Sequence, residues 1–120
     1  MEKLLDRNIP IYVQIMDAVK HSIVSGELKP GDRIPSVREM AATFGVNPNT
    51  VQRALLDLER EGLLATERAQ GRYVSADKDT IEELRHAMAM EAAKNFAEEM
   101  KALGFAPEEF GDFLRGKGGK

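Results

Sequence analysis

The apolar residues in the first half of the chain recur at steps of three and four positions, in three separate stretches. Residues with this spacing share one face of an α-helix. The three apolar faces are Tyr12, Ile15, Val19 and Ile23, then Val37, Met40, Ala41 and Phe44, and then Val51, Ala54, Leu55 and Leu58. Three amphipathic helices are therefore predicted between Pro10 and Gly62.

Capping signals set the limits of the second and third predicted helices. Ser36 and Glu39 have the spacing of a capping box, in which each side chain accepts the other residue's backbone N–H. Asn47 is a favoured N-cap and Pro48 a favoured first helical residue, and both follow closely on the helix-stop signal Gly45. The sequence thus predicts two helices joined by a tight turn.

After the third helix, the pattern changes from helical to strand-like. Residues 63–65 and 72–74 are short apolar segments on either side of a small polar turn, which predicts a β-hairpin. We therefore expect a mainly α protein with a small β-hairpin, an α+β class, and we place its first domain in residues 1–76.

A helical tail is predicted in residues 77–120, after a polar junction. Asp79 and Glu82 again have capping-box spacing, and an apolar stripe continues from there to Gly104. This pattern predicts a long amphipathic helix from about Thr80 to Leu103, followed by a second, short helix.

Composition narrows the chemistry that the chain can perform. The sequence contains no cysteine, and its two histidines, His21 and His86, are far apart, so we expect neither a metal nor a cofactor. Acidic pairs such as Glu98 and Glu99 have no nucleophile beside them, so we do not expect an enzyme. No stretch approaches the ~18 apolar residues of a membrane span, and we expect a cytoplasmic protein without a membrane partner.

The net charge of −3 is unevenly distributed. Residues 1–76 contain ten basic and ten acidic side chains, whereas residues 77–120 contain seven and ten. The overall charge argues mildly against nucleic-acid binding. A neutral domain can nevertheless bind phosphates if its basic side chains share one face, so net charge does not decide the question.

Polar side chains at the start of the third helix have the chemistry of base recognition. In a helix-turn-helix the N-terminal end of the second of the paired helices enters the DNA major groove. Asparagine and glutamine can bind adenine through two hydrogen bonds, and arginine can bind guanine in the same way. The candidate DNA contacts are Asn47, Pro48, Asn49, Thr50, Gln52 and Arg53. From the residues alone, a solvated polar face and a protein-interaction module of the same fold stay open as alternatives.

Two further positions are candidates for DNA contact. Arg38 lies in the first turn of the second helix, where the helix dipole disfavours a cation, and this suggests a phosphate or base contact that Ser36 could share. The hairpin has a basic tip, where a glycine would let the backbone approach DNA closely. The tip residues are Arg68, Gln70, Gly71 and Arg72. An ordinary surface arginine, an ordinary cap and an ordinary turn are the alternatives.

One continuous pattern covers residues 10–74. It consists of PIYVQI, SGELKPGDRIPSVREMAATFGVNPNTVQRALLDLEREGLL and GRYV. This pattern resembles the DNA-binding domain of the GntR family of bacterial regulators. The resemblance implies a winged helix-turn-helix that binds double-stranded, palindromic operator DNA as a homodimer, with contacts at Arg38, at residues 47–53 and at Gly71. It favours a repressor, because most members are repressors.

The 45 residues after Ser75 depart from the usual plan of that family, in which a large ligand-binding domain follows. We expect the tail to be too short to enclose a small-molecule pocket, and the sequence names no effector. The tail resembles that of the YtrA-type subfamily, whose short helical tail serves dimerisation. Members of that subfamily commonly control nearby membrane transporter operons.

The apolar residues of the tail must be buried against something. The predicted helix would be about 36 Å long, which is longer than the small domain beside it can cover. The candidate dimerisation residues are Leu84, Met88, Ala92, Phe96, Met100, Leu103, Phe105, Phe110 and Phe113. Pairing with a second copy is the simplest way to bury them, and folding back onto the chain's own domain is the alternative.

Overall fold

The computed structural model describes residues 7–117 and confirms the predicted mainly helical class. The elements are helices α1 (Ile11–Val24), α2 (Val37–Phe44) and α3 (Pro48–Arg60), strands β1 (Leu64–Glu67) and β2 (Gly71–Val74), helix α4 (Lys78–Ala102), a 3₁₀ turn (Pro107–Glu109) and helix α5 (Phe110–Leu114). The chain forms two compact units that divide between Leu84 and Arg85. No helix within residues 7–117 is long and apolar enough to cross a membrane.

The core of the first unit is built on one face of α3. Val51, Ala54, Leu55 and Leu58 are all 0 % exposed, as the spacing of apolar residues predicted. The inner faces of α1 and α2 pack against them in a single hydrophobic cluster. Fully burying a side chain such as Leu55 stabilises the fold by about 1.5–3 kcal/mol, so this face fixes how α3 is oriented.

The predicted caps of α2 and α3 are confirmed. The Glu39 amide donates to the Ser36 hydroxyl at 3.1 Å, and the Ser36 amide donates to the Glu39 carboxylate at 2.9 Å. Gly45 ends α2 with φ +69°, a left-handed conformation that favours glycine. The Asn49 amide then donates to the side-chain oxygen of Asn47 at 2.7 Å, which begins α3 almost at once.

Strands β1 and β2 form the predicted antiparallel hairpin, called the wing below (residues 64–74). Their register pairs Leu64 with Val74 and Glu67 with Gly71. A short extended segment before α2 adds to this sheet, because Arg33 forms an isolated bridge with Tyr73. The wing is therefore held on one side by the loop that leads into α2.

Helix α4 begins earlier than predicted. Its first residue is Lys78 rather than Thr80, and the predicted cap at Asp79 is wrong. The Thr80 amide donates to the Asp77 carboxylate at 2.8 Å, and this backbone hydrogen bond is the main reason that the pKa of Asp77 lies below its ordinary value. Ile81 and Leu84 pack against the core of the first unit, which therefore extends further along the chain than residue 76.

The second unit has its own small aromatic core. The Phe96 and Phe110 rings meet edge to face at 5.5 Å between centroids, and the Phe105 and Phe113 rings at 4.8 Å. Met100 is only 8 % exposed. The short segment after α4 therefore folds back on the end of that helix.

Replacing Leu55 with alanine tests the orientation of α3. Because Leu55 is 0 % exposed, Leu55→Ala should lower the free energy of unfolding by about 2–5 kcal/mol, measured by urea denaturation. The matched control is Leu56→Ala, since Leu56 is the next residue and is 37 % exposed. Equal losses in the two variants would contradict this orientation.

Candidate nucleic-acid interface

The exposed N-terminal half of α3, residues 47–53, carries the predicted base-reading side chains. Asn47, Pro48, Asn49, Gln52 and Arg53 are exposed, because the core takes the opposite face of the helix. Thr50 is half-buried. Within residues 7–117 the side chains of Asn49 and Gln52 make no hydrogen bond to protein, so their amides are available to a partner.

The charges along α3 are segregated. Its first turn contains no acidic residue. The acids lie at the other end, and each is paired with a base: Asp57 with Arg60 at 2.6 Å, Glu59 with Arg72 at 2.5 Å, and Glu61 with Lys20 at 3.0 Å. The exposed N-terminal half of α3 can therefore approach an anionic partner without repulsion from a neighbouring carboxylate on this helix.

Glu59 joins α3 to the wing. Its carboxylate accepts the Arg72 Nε–H at 2.5 Å and the Thr66 hydroxyl at 2.8 Å, one from each strand of the wing. Partial desolvation acts to raise the pKa of Glu59, but the hydrogen bonds from Arg72 and Thr66 outweigh it and lower the pKa. The charged carboxylate therefore holds the wing at a fixed position beside α3.

This ion pair separates Arg72 from the other predicted residues of the hairpin tip. The Arg72 side chain is 16 % exposed and lies against Glu59, whereas Arg68 and Gln70 are exposed in the turn between the strands. Arg72 positions the wing in this structure, and the other two side chains form its tip. The difference follows from their positions, because Arg72 lies within β2 whereas Arg68 and Gln70 lie in the turn beyond the ends of both strands.

Gly71 has a different environment from the one that its sequence position suggested. It adopts φ +82°, which favours glycine, and a Cβ there would lie 3.5 Å from the Arg33 Nε. The open side of Gly71 thus faces the Arg33 side chain. An open groove begins at this point, lined by Arg33, Ser36, Glu39, Thr66 and Gly71 among others.

The start of α2 borders the same groove. Ser36 caps the helix, and Arg38 is exposed in its first turn, without an ion pair among the residues that the structure describes. The hydrogen bond from the Ser36 backbone is the main cause of a lowered pKa at Glu39, and the nearby Arg33 guanidinium lowers it further. This electrostatic effect arises because Arg33 lies close to the cap of α2.

Arg33 is the candidate residue that the sequence did not single out. It is exposed, and it lies beside both Gly71 of the wing and Glu39 of α2. In the sequence it stands in the GDRIPS turn, between a proline-glycine pair and the capping box. The bridge between Arg33 and Tyr73 brings it to the wing, with the Ile34 amide donating to the Arg72 carbonyl and the Val74 amide to the Asp32 carbonyl. These pairings are tertiary contacts.

The predicted dimerisation residues occupy three different environments. Leu84 packs on the core of the first unit. Phe96, Phe105, Phe110 and Phe113 pair with one another inside the second unit. Among the remaining residues, Met100 is buried in the second unit, Met88 is half-buried, Ala92 is exposed and Leu103 is 71 % exposed.

Comparison with known proteins identifies relatives along nearly the whole chain. The family model described as bacterial regulatory proteins, gntR family, matches residues 11–74. The uncharacterised regulator YhcF of Bacillus subtilis is 40 % identical over 109 residues, covering 91 % of this chain and 90 % of the relative. The transcriptional repressor YtrA of the same species is 38 % identical, with 92 % and 90 % coverage.

Solved structures show the same similarity in three dimensions. A GntR family transcriptional regulator from Listeria monocytogenes has a TM-score of 0.83 and 38 % identity, covering 92 % of this chain and 97 % of that one. The DNA-binding domain of AraR, solved in complex with operator ORX1, has a TM-score of 0.54 and 29 % identity, covering 62 % of this chain and 92 % of that one.

Replacing Glu59 with glutamine tests the link between α3 and the wing. Hydrogen bonds to Glu59 lower its pKa, so the charged carboxylate stabilises the fold at pH values above its ordinary pKa of 4.5. This stabilisation is lost as the pH falls through the lower pKa that Glu59 has in the folded state. Glu59→Gln should lower the free energy of unfolding by about 1–2 kcal/mol at neutral pH. In acid the difference from wild type should shrink, as measured by urea denaturation across a pH series.

Glu67→Gln is the control for this measurement. Glu67 lies in the same hairpin and is exposed. A loss of stability at Glu59 that matched the control, or that stayed constant with pH, would show that the ion pair does not hold the wing.

Proposed function

The chain belongs to the GntR family of bacterial regulatory proteins, and from this membership we propose that it is a homodimeric repressor that binds a palindromic operator. Its relatives are named transcriptional regulators, so it is a DNA-binding regulator and not an enzyme. In this proposal the exposed N-terminal half of α3 enters the major groove and the tip of the wing contacts the adjacent DNA backbone.

The observation that carries the proposal is the set of unpaired polar side chains on α3. Asn49 and Gln52 present free amides that can bind adenine through two hydrogen bonds. A surface that docked another protein would be apolar or acidic at this place. The exposed half of α3 is neither, because its first turn contains no acid and the acids near its end are paired.

Phosphate contacts would surround this base-reading surface. Arg38 and Ser36 at the start of α2, and Arg68, Gln70 and Gly71 in the wing, are the proposed positions, and we add Arg33 because it lies between those two elements. Phosphate contacts position a protein on DNA, whereas base contacts give it specificity. Arg72 contributes indirectly, through its ion pair with Glu59.

The tail supplies the proposed dimer contact. The aromatic pairs stabilise the tail within one protomer, and Met88, Ala92 and Leu103 are left to meet a second copy. Linking two winged domains raises the effective concentration of the second at its half-site, and this strengthens binding without any new contact to DNA. A two-fold dimer requires a palindromic target, since its two half-sites are equivalent.

The relatives support repression as the mode of regulation. The YtrA relative from Bacillus subtilis is named a transcriptional repressor, and the similar AraR domain was solved with an operator. We propose the cytoplasm as the location, since the DNA target lies there. On the subfamily resemblance we also propose a transporter operon as the regulated target.

The first experiment measures DNA binding by the purified chain. Electrophoretic shifts on its own promoter region, with excess non-specific DNA, should show one salt-sensitive complex. The affinity should fall by about 0.9 log units per phosphate contact for each tenfold rise in salt. Asn49→Ala or Gln52→Ala should weaken specific binding by about 1–3 kcal/mol and relax the preference at one base pair.

Lys94→Ala is the control for these variants. It removes an exposed charge from the second unit, outside the proposed interface. A wild-type affinity that did not change with salt would exclude DNA binding as the function. Normal specificity in both α3 variants would remove Asn49 and Gln52 from the base-reading set.

A second experiment tests the dimer contact in the tail. Leu103 directly follows the last residue of α4, near the side of the helix that carries Met88, and is 71 % exposed. Leu103→Asp should therefore give monomers that still fold, as measured by sedimentation and circular dichroism. Met90→Asp is the control, because Met90 is 61 % exposed on the opposite side of the helix. Monomers from Met90→Asp alone would place the interface on that opposite side.

A further inference from the structure

Arg53 of α3 is stacked on an aromatic ring of α1. The central guanidinium carbon of Arg53 lies 3.7 Å from the centroid of the Tyr12 ring. Tyr12 is half-buried and packs against the hydrophobic core, so its ring is held in place. Arg53 has no carboxylate partner among residues 7–117, and its other surface is exposed.

The stacking fixes the side of α3 on which the guanidinium lies. Successive residues of a helix are about 100° apart, so Gln52 and Arg53 leave α3 on opposite sides of Asn49. Gln52 is on the side of Glu59, and Arg53 is on the side of Glu61. Glu59 binds the wing and Glu61 pairs with Lys20 of α1. The contact with the Tyr12 ring therefore draws the Arg53 guanidinium toward α1, to the flank of the exposed surface, whereas the Gln52 side chain has no such contact among residues 7–117.

A position at the flank favours contact with phosphate over contact with a base. An α-helix with its side chains is about 10–12 Å wide and nearly fills the major groove, which is about 12 Å wide. Side chains at the centre of the exposed face then reach base edges, whereas side chains at its flanks meet the phosphates along the rims of the groove.

We propose that Arg53 binds a DNA phosphate rather than guanine, and that Tyr12 is the residue that positions it. The inference rests on the proposed operator binding and assigns a role within it. The ring covers one face of the guanidinium and leaves the N–H groups around its edge free to donate to phosphate oxygens. Because Arg53 is already held in place, binding costs less side-chain entropy.

The test compares four variants with wild type: Tyr12→Leu, Tyr12→Phe, Arg53→Ala and the double variant Tyr12→Leu/Arg53→Ala. The probe is a duplex selected by the wild-type chain from a randomised double-stranded pool, together with its single-base variants. Dissociation constants are measured for each duplex over a salt series. Thermal unfolding of each variant is followed by circular dichroism.

Each variant has its own expected result. Arg53→Ala should weaken binding to all duplexes by the same factor, and the salt slope should fall by about 0.9 for each lost phosphate contact, about 1.8 in a two-fold dimer. Tyr12→Leu should weaken binding about two- to fivefold per protomer, while Tyr12→Phe, which keeps the ring, should bind like wild type. Tyr12→Leu should have no further effect when Arg53 is already alanine.

The outcomes separate the inference from the proposed function. A wild-type chain that selects no duplex overturns both. Relaxed preference at one base pair in Arg53→Ala, with normal binding at the others, overturns the phosphate assignment alone. If Tyr12→Leu weakens binding as much in the Arg53→Ala background as in wild type, the ring acts only through the fold and the positioning role is overturned.

Discussion

One face of α3 is completely buried, and its burial determines which side chains of the helix are exposed. The buried side chains are Val51, Ala54, Leu55 and Leu58. A helix that gives one face to a core has only the opposite face left for a partner. That opposite face begins at Asn47, whose side chain caps the helix and sets the position of its first turn. The buried face and the Asn47 cap together therefore determine that the amides of Asn49 and Gln52 are exposed.

The charged side chains on and around α3 are distributed so that this nearly neutral domain can bind DNA, which is a polyanion. The carboxylates near the end of α3 are each neutralised by a base from α1, from α3 itself or from the wing. The unpaired bases, such as Arg38 and Arg53, lie on other parts of the surface. Since binding depends on the local field more than on net charge, the −3 of the whole chain is no obstacle.

The sequence was sufficient for the elements whose signals are local. Periodic apolar residues gave all four buried positions of α3, and the capping box at Ser36 and Glu39 formed as predicted. The predictions differed from the structure where a long-range contact decides the outcome. Arg72, for example, pairs with Glu59 on another element. The start of α4 was missed for a local reason, because both Asp77 and Asp79 are favoured N-caps and the Thr80 amide donates to Asp77.

In the tail, too, the spacing of apolar residues was not sufficient to predict the tertiary contacts. An apolar stripe indicates that a face will be buried but does not say against what. Phe96 and Phe110 belong to different elements, and their edge-to-face contact depends on the turn after α4, which brings the following segment back along the helix. The approach of Arg33 to Gly71 is likewise a product of strand pairing, which local patterns do not encode.

The N-terminal residues of α3 are exposed, and its later residues are buried or paired. This division affects how the DNA specificity of such a regulator can change during evolution. Surface substitutions away from buried or hydrogen-bonded groups usually change stability by no more than about 0.5 kcal/mol. Asn49 and Gln52 are positions of this kind, whereas Leu55 and Glu59 are not. After duplication of its gene, such a chain can drift toward a new target without passing through unfolded intermediates, and a library randomised at these two positions would explore the same route in the laboratory.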